Sequence, residues 1–150
     1  MKRGFMLLVM VGTLVCCIAL AQTGGAGALQ LQTNSRPWPA NSSGVVNISM
    51  AIKEGFKVPK RPSPKLQIDP TDAFEITGDT SFTEEGQGKD PEYFHAFKPI
   101  SLQLVSAKTT QPGRYTLSAK FTYFYCSESE KYCSRSVEKI SIPIELMAAK

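Results

Sequence analysis

The stretch Arg114–Leu146 reads RYTLSAKFTYFYC-SESEKY-CSRSVEKISIPIEL, and the fold class follows from it. Tyr115, Leu117, Ala119, Phe121, Tyr123 and Tyr125 fall on one face of an extended chain, with Thr116, Ser118, Lys120 and Thr122 on the other. A period of two in aromatic and β-branched residues marks a half-buried strand. Phe124 interrupts the polar face just before Cys126, so both faces turn apolar there. The return run repeats the pattern: Ile140, Ile142, Ile144 and Leu146 share a face against Lys139, Ser141 and Glu145. Pro143 lies inside that run and has no N–H to donate, which suits an edge or a bulge. Paired as an antiparallel hairpin, the two runs place Cys126 opposite Cys133. Directly opposed residues have Cα atoms about 4.5–5.5 Å apart, within disulfide reach. The charged segment Ser127–Tyr132 is expected to be the connecting loop.

Working outward, the chain carries the marks of export. Lys2 and Arg3 precede the apolar run Phe5–Leu20, which is short for a membrane span, and Ala19-Leu20-Ala21 offers small residues where a signal peptidase cuts. Residues 1–21 therefore read as a signal peptide, cleaved before Gln22, and the mature protein is expected to be periplasmic or secreted. An uncleaved anchor is the competing reading. Lipidation at Cys16 or Cys17 is disfavoured, because Val15 and Cys16 stand where a lipobox needs a small residue.

Removing the signal takes Lys2 and Arg3 with it, so the formal charge of +4 falls to +2. That weak excess points to neither nucleic acid nor an anionic membrane surface. Of four cysteines only Cys126 and Cys133 remain. An even pair in an exported protein is expected to be oxidised.

Residues 22–43 are rich in Gly, Ala, Gln, Asn and Pro and read as a flexible leader, with Trp38 in a surface packing role. Val46, Ile48, Met50 and Ile52 alternate as the first strand of a domain spanning 44–150. Val58–Pro64 reads as an extended connection or edge, Lys65–Ile68 and Ala73–Thr77 as short strands, and Ile100, Leu102 and Leu104 as another. Phe82–Pro91 is the least patterned segment, followed by the acidic-aromatic patch Glu92–Phe97. No amphipathic helix is evident. Six or seven short strands, with turn signals about every ten residues, indicate an all-β, immunoglobulin-like sandwich of antiparallel strands.

The aromatic strand ending in Cys126, the short loop, Cys133 and the following Ile140-Ser-Ile-Pro-Ile resemble the end of the N-terminal periplasmic domain of the thiol:disulfide interchange protein DsbD family. The resemblance implies an immunoglobulin-like fold and a redox-active Cys126–Cys133 pair. It also implies electron transfer between a membrane-embedded donor and a thioredoxin-like partner. Val46–Ile52 with Gly55 and Phe56 resembles the family's opening strand. Asp90-Pro91-Glu92-Tyr93-Phe94 falls where the family carries a cap loop. Tyr93 and Phe94 would then shield the disulfide, and Asp90 or Glu92 would serve as acid or base. The chain departs from the family in its glycine-free loop and in Ser134, Arg135 and Ser136, where prolines are common. It ends at Lys150 with no electron-carrying or thioredoxin-like domain, so the membrane electron donor is expected to be a separate protein.

Thiolate attack needs an accessible sulfur of suitable pKa. Lys131 and Arg135 would favour a thiolate, while Glu128 and Glu130 would oppose it. The competing reading is a non-enzymatic binding module in which the disulfide merely staples the hairpin. Its eight-residue loop is worth roughly 2.5 kcal/mol in the chain-entropy view. No cofactor, metal or small-molecule substrate is indicated. His95 is the only histidine; it fits no common zinc spacing with the cysteines and completes no catalytic triad. Asn41-Ser-Ser and Asn47-Ile-Ser are formal glycosylation sequons, and the proline-broken basic run Lys57–Lys65 reads as a solvated edge.

Overall fold

The structure, a computed structural model, describes residues 27–86 and 90–149 together with the backbone of 21–23. Residues 1–20, which carry most of the signal-peptide reading, lie outside the described residues. The fold is an all-β sandwich whose two sheets bury one shared core.

The first sheet contains β1 (Ala21–Thr23), β2 (Leu29–Ser35), β4 (Ser43–Ile52), β9 (Ile100–Ser106) and β7 (Phe74–Thr77), side by side in that order and all antiparallel. The second is built on β10 (Gly113–Ser127) and β11 (Tyr132–Met147). β3 (Trp38–Pro39) lies parallel to the end of β11. On its other side β10 pairs first with β6 (Lys65–Ile68) and then with β5 (Phe56–Pro59), and β8 (Tyr93–Phe94) pairs with β5.

Alternation places the core. Val46, Ile48 and Met50 of β4 and Ile100, Leu102 and Leu104 of β9 are buried from one sheet; Leu117, Ala119, Phe121 and Tyr123 of β10 and Ile140, Ile142, Ile144 and Leu146 of β11 meet them from the other. Each Val, Leu, Ile, Met or Phe side chain among them contributes about 1.5–3 kcal/mol by leaving water. Ladder hydrogen bonds satisfy the backbone groups buried with them.

Four sequence expectations change. Residues 29–35 are not leader: β2 sits inside the first sheet, with Leu29, Leu31 and Thr33 buried. The LQLQT alternation was visible, but the surrounding Gly, Asn and Pro masked it. Trp38 is a core residue at 5% exposure, edge-on to Phe74. A Cβ on Gly44 would clash with its indole Cδ2, so that glycine makes room for the ring. Phe56–Pro59, which overlaps the expected connection Val58–Pro64, is a strand paired with both β10 and β8. Finally, β10 and β11 are long, at 15 and 16 residues. Their register runs unbroken from Gly113↔Leu146 to Ser127↔Tyr132. No bulge is needed at Pro143, which pairs with Thr116 while its carbonyl accepts from Ser35 Oγ at 2.8 Å across the sheet edge.

Candidate functional site

The long hairpin ends in the cysteines. Cys126 and Cys133 are directly opposed, their Cα atoms are 4.0 Å apart, and they form a disulfide. Because the inward-facing set runs Phe121, Tyr123 and Tyr125, Cys126 and Cys133 lie on the outward face of the sheet, in the row beyond Phe124 and Arg135. Cys126 is half-buried and Cys133 is exposed.

The ladder takes in one pair more than expected, Ser127↔Tyr132, so the loop is Glu128–Lys131. Lys131 adopts φ 51°, the left-handed conformation that a glycine would take more easily. The turn is held from inside: Ser127 Oγ accepts from the Glu130 N–H at 3.2 Å, and the Lys131 N–H donates to the Ser127 carbonyl at 3.1 Å. It is also tied sideways, because the Glu128 N–H donates to the Gly55 carbonyl at 2.9 Å.

Lys57 is the residue that sequence reading missed. On the side of β10 away from Cys133, β5 places Lys57 directly opposite Cys126. Its ammonium lies 2.8 Å from Glu128 Oε1 and 5.7 Å from the Tyr93 ring centroid. The hydrogen bond to Glu128, followed by the charge of that carboxylate, raises the Lys57 pKa above its ordinary value. Cys126 thus lies in the ladder between its disulfide partner and Lys57, whose ammonium is paired with Glu128. The only advance signal was the basic run containing Lys57, whose pairing with β10 depends on tertiary register.

Beneath the disulfide runs a file of aromatic rings. Phe121 stacks on Tyr123 at 5.0 Å, Tyr123 is 6.1 Å from Tyr125, and Tyr125 meets Phe56 and Tyr132 at 5.7 and 6.4 Å. Tyr123 donates its buried hydroxyl to Glu138, and burial, then this bond, pushes its pKa up. Tyr132 is pushed up to about 12, chiefly by its hydrogen bond with Tyr125.

The expected cap divides in two. Tyr93 pairs with Pro59 and shares the outward face with Lys57; it is half-buried. Phe94 pairs with buried Val58 and points into the core, where it packs on Phe97 at 4.7 Å. Phe94 is therefore on the opposite face from the disulfide and does not shield it. Asp90 serves the turn: its Oδ1 accepts from the N–H groups of Glu92 and Tyr93 at 2.8 and 3.1 Å. These bonds, the Glu92 N–H foremost, hold its carboxyl below the ordinary value. That is the wrong direction for a carboxyl that shuttles protons near neutrality. Glu92 is exposed, and its carbonyl accepts from the Lys60 N–H at 2.7 Å. Lys60 holds the segment in place by donating to Glu84 Oε2 at 2.6 Å and to the Asp90 carbonyl at 2.7 Å. His95 is exposed, and its backbone N–H donates to Glu84 Oε1 at 3.0 Å.

No family model matches this chain, and no curated protein matches it. Seven chains among the solved structures align with it, the following two among them. The GAE domain of GGA2p from Saccharomyces cerevisiae is 9% identical with a TM-score of 0.48, over 83% of this chain and 98% of that one. The DsbD n-terminal domain of Neisseria meningitidis, in the reduced form, is 16% identical with a TM-score of 0.30, over 71% of this chain and 78% of that one. Likenesses at these scores decide nothing about chemistry, so the site is read from its own residues. Among the described residues no group of three or more His, Cys, Asp and Glu side chains is gathered to hold a metal. Cys126 and Cys133 are the only cysteines among the described residues.

Proposed function

We propose that this is an exported thiol-disulfide exchange domain that passes electrons through Cys126–Cys133 to or from a thioredoxin-fold partner, with a separate membrane protein as electron donor. One observation carries the reading. The disulfide closes the tip of a ladder whose register a continuous series of other pairs already sets, and it leaves one cysteine exposed and the other sheltered beside a cation.

The chemistry follows from that asymmetry. A partner thiolate attacks the accessible Cys133 Sγ, the Cys126–Cys133 bond breaks, and a partner–Cys133 mixed disulfide forms. Cys126 leaves as a thiolate, and the ammonium of Lys57 across the ladder favours that leaving group. The partner's second thiol then attacks its own sulfur in the mixed disulfide and releases Cys133. Two electrons and two protons have reached this domain, and the partner is left oxidised. The reverse sequence reduces the partner.

The second reading is a binding module with a structural disulfide. Its support is the clamp at the hairpin tip, where Glu128 bonds both Gly55 and Lys57 and fixes the β4–β5 turn to the loop. Equilibration with defined thiol buffers, followed by trapping of free thiols, separates the two. Exchange requires a potential above about −300 mV and reduction by a thioredoxin-like protein. A lower potential with no such reduction leaves the binding module.

A further inference from the structure

The two long sides of the sandwich differ. On one, the sheets are joined: Ser35 Oγ reaches the Pro143 carbonyl, and Gly27 lies so close to Glu138 and Tyr123 that a Cβ there would clash with both. On the other, β6 of one sheet and β7 of the other are both edge strands, joined among the described residues by the turn 69–73. Between them lies an open groove of about 490 Å³, floored by Leu66, Ile68, Phe74, Ile76 and Leu102 and rimmed by Asp69. Ile68 and Ile76 remain partly exposed in it.

Among the described residues the edge of β7 has unused hydrogen-bonding capacity. The Ala107 N–H donates to the Ala73 carbonyl at 3.0 Å, which sets the phase of the β7–β9 ladder. Hydrogen-bonded pairs alternate in an antiparallel ladder, so Glu75 and Thr77 turn their N–H and C=O groups toward β9. Phe74 and Ile76 turn theirs away, toward the groove side, while their side chains point inward.

Charge selects the occupant. Residues 66–80 contain Asp69, Asp72, Glu75 and Asp79 and no Lys, Arg or His, in a chain whose net charge is +4. Glu75 is exposed on the outer face of β7. A second copy of β7 would oppose these acids with its own, which disfavours edge-to-edge self-pairing.

We propose that β7 is a docking edge for an extended peptide segment with alternating apolar and basic residues. The segment adds a strand beside β7, bonding the outward backbone groups of Phe74 and Ile76. Its apolar residues enter the groove between Ile68 and Ile76, and its basic residues lie beside Glu75 on the outer face.

The probe is a synthetic peptide of about eight residues alternating Val and Lys, long enough to overhang the four-residue β7 at both ends. It is titrated into isotope-labelled protein with amide resonances followed by NMR. Binding that shifts the amides of Phe74 and Ile76, weakens about tenfold in Glu75→Lys and weakens again at high salt is the expected result. A Val–Glu peptide should not bind, and N-methylation of alternate amides, made once on the Val nitrogens and once on the Lys nitrogens, should abolish binding in the phase whose N–H groups face β7 and spare it in the other. Glu75 is exposed, so its variant keeps the core, and an unchanged far-UV spectrum verifies this. The proposal is overturned if the Val–Lys peptide leaves these amides unmoved, if it binds Glu75→Lys equally, or if both N-methylated peptides bind as well.

Discussion

Removing the disulfide by Cys126→Ala together with Cys133→Ala should lower stability by roughly 2.5 kcal/mol and leave the fold intact. The loop between the two cysteines spans a sequence separation of 7. Cross-linking so small a loop restrains the unfolded chain by about 2.5 kcal/mol in the loop-entropy treatment. On the native side little is lost, because the same strands remain aligned from Gly113↔Leu146 to Ser127↔Tyr132, and the buried faces of β10 and β11 hold that register. A one-residue slip would expose Ile140, Ile142 and Ile144. Urea unfolding measures the effect. With an m-value of about 2 kcal/mol/M, the midpoint should fall by about 1.2 M with the slope unchanged. NMR shifts of β2, β4 and β9 should match those of the oxidised protein. A double variant that is unfolded, or that loses more than about 4 kcal/mol, would refute the reasoning. A disulfide that must open and close in service cannot also be indispensable to the fold, so that result would also favour the structural staple.

Three other outcomes are expected. In reduced protein, Lys57→Met should shift the pH-rate profile of Cys126 alkylation to higher pH, since the cation opposite that thiolate is gone; an unmoved profile would remove Lys57 from the site. Glu84 is held below its ordinary 4.5, first by the bond from Lys60 and then by the His95 N–H, and Asp90 is held below its ordinary 3.8. Depressed folded values give stabilisation that is complete above those ordinary values and lost as pH falls through the lowered ones. The amide resonances of Glu92 and Tyr93, which bond to Asp90, should therefore move only as pH falls below that ordinary carboxyl value, and movement near neutrality would contradict the assignment. Leu31→Ala, at a position 1% exposed, should cost about 2–5 kcal/mol in urea unfolding; a loss under about 0.5 kcal/mol would return residues 29–35 to a dispensable leader.

The amino-acid pattern alone determined the fold class and the cysteine pairing. A period of two in Tyr115–Tyr125 and Ile140–Leu146 is a local property, because alternate side chains of an extended chain point to opposite faces whatever the chain packs against. Two such runs joined by a short loop can pair in few registers, and the one that buries both apolar faces opposes Cys126 and Cys133. The strands Lys65–Ile68 and Phe74–Thr77 were legible for the same reason. Where the residues around the disulfide lie was decided only in three dimensions. Lys57 lies far from Cys126 in the chain and meets it because β5 lands on one particular stretch of β10. Tyr93 and Phe94 are neighbours in the cap expectation, yet pairing with β5 sends one outward and the other into the core. Leu29 and Leu31 are core residues because β4 offers them a partner edge, and Trp38 is buried because Gly44 leaves space for its ring. Each outcome depends on which strands become neighbours, and that is set by contacts between distant residues that no local window of sequence contains.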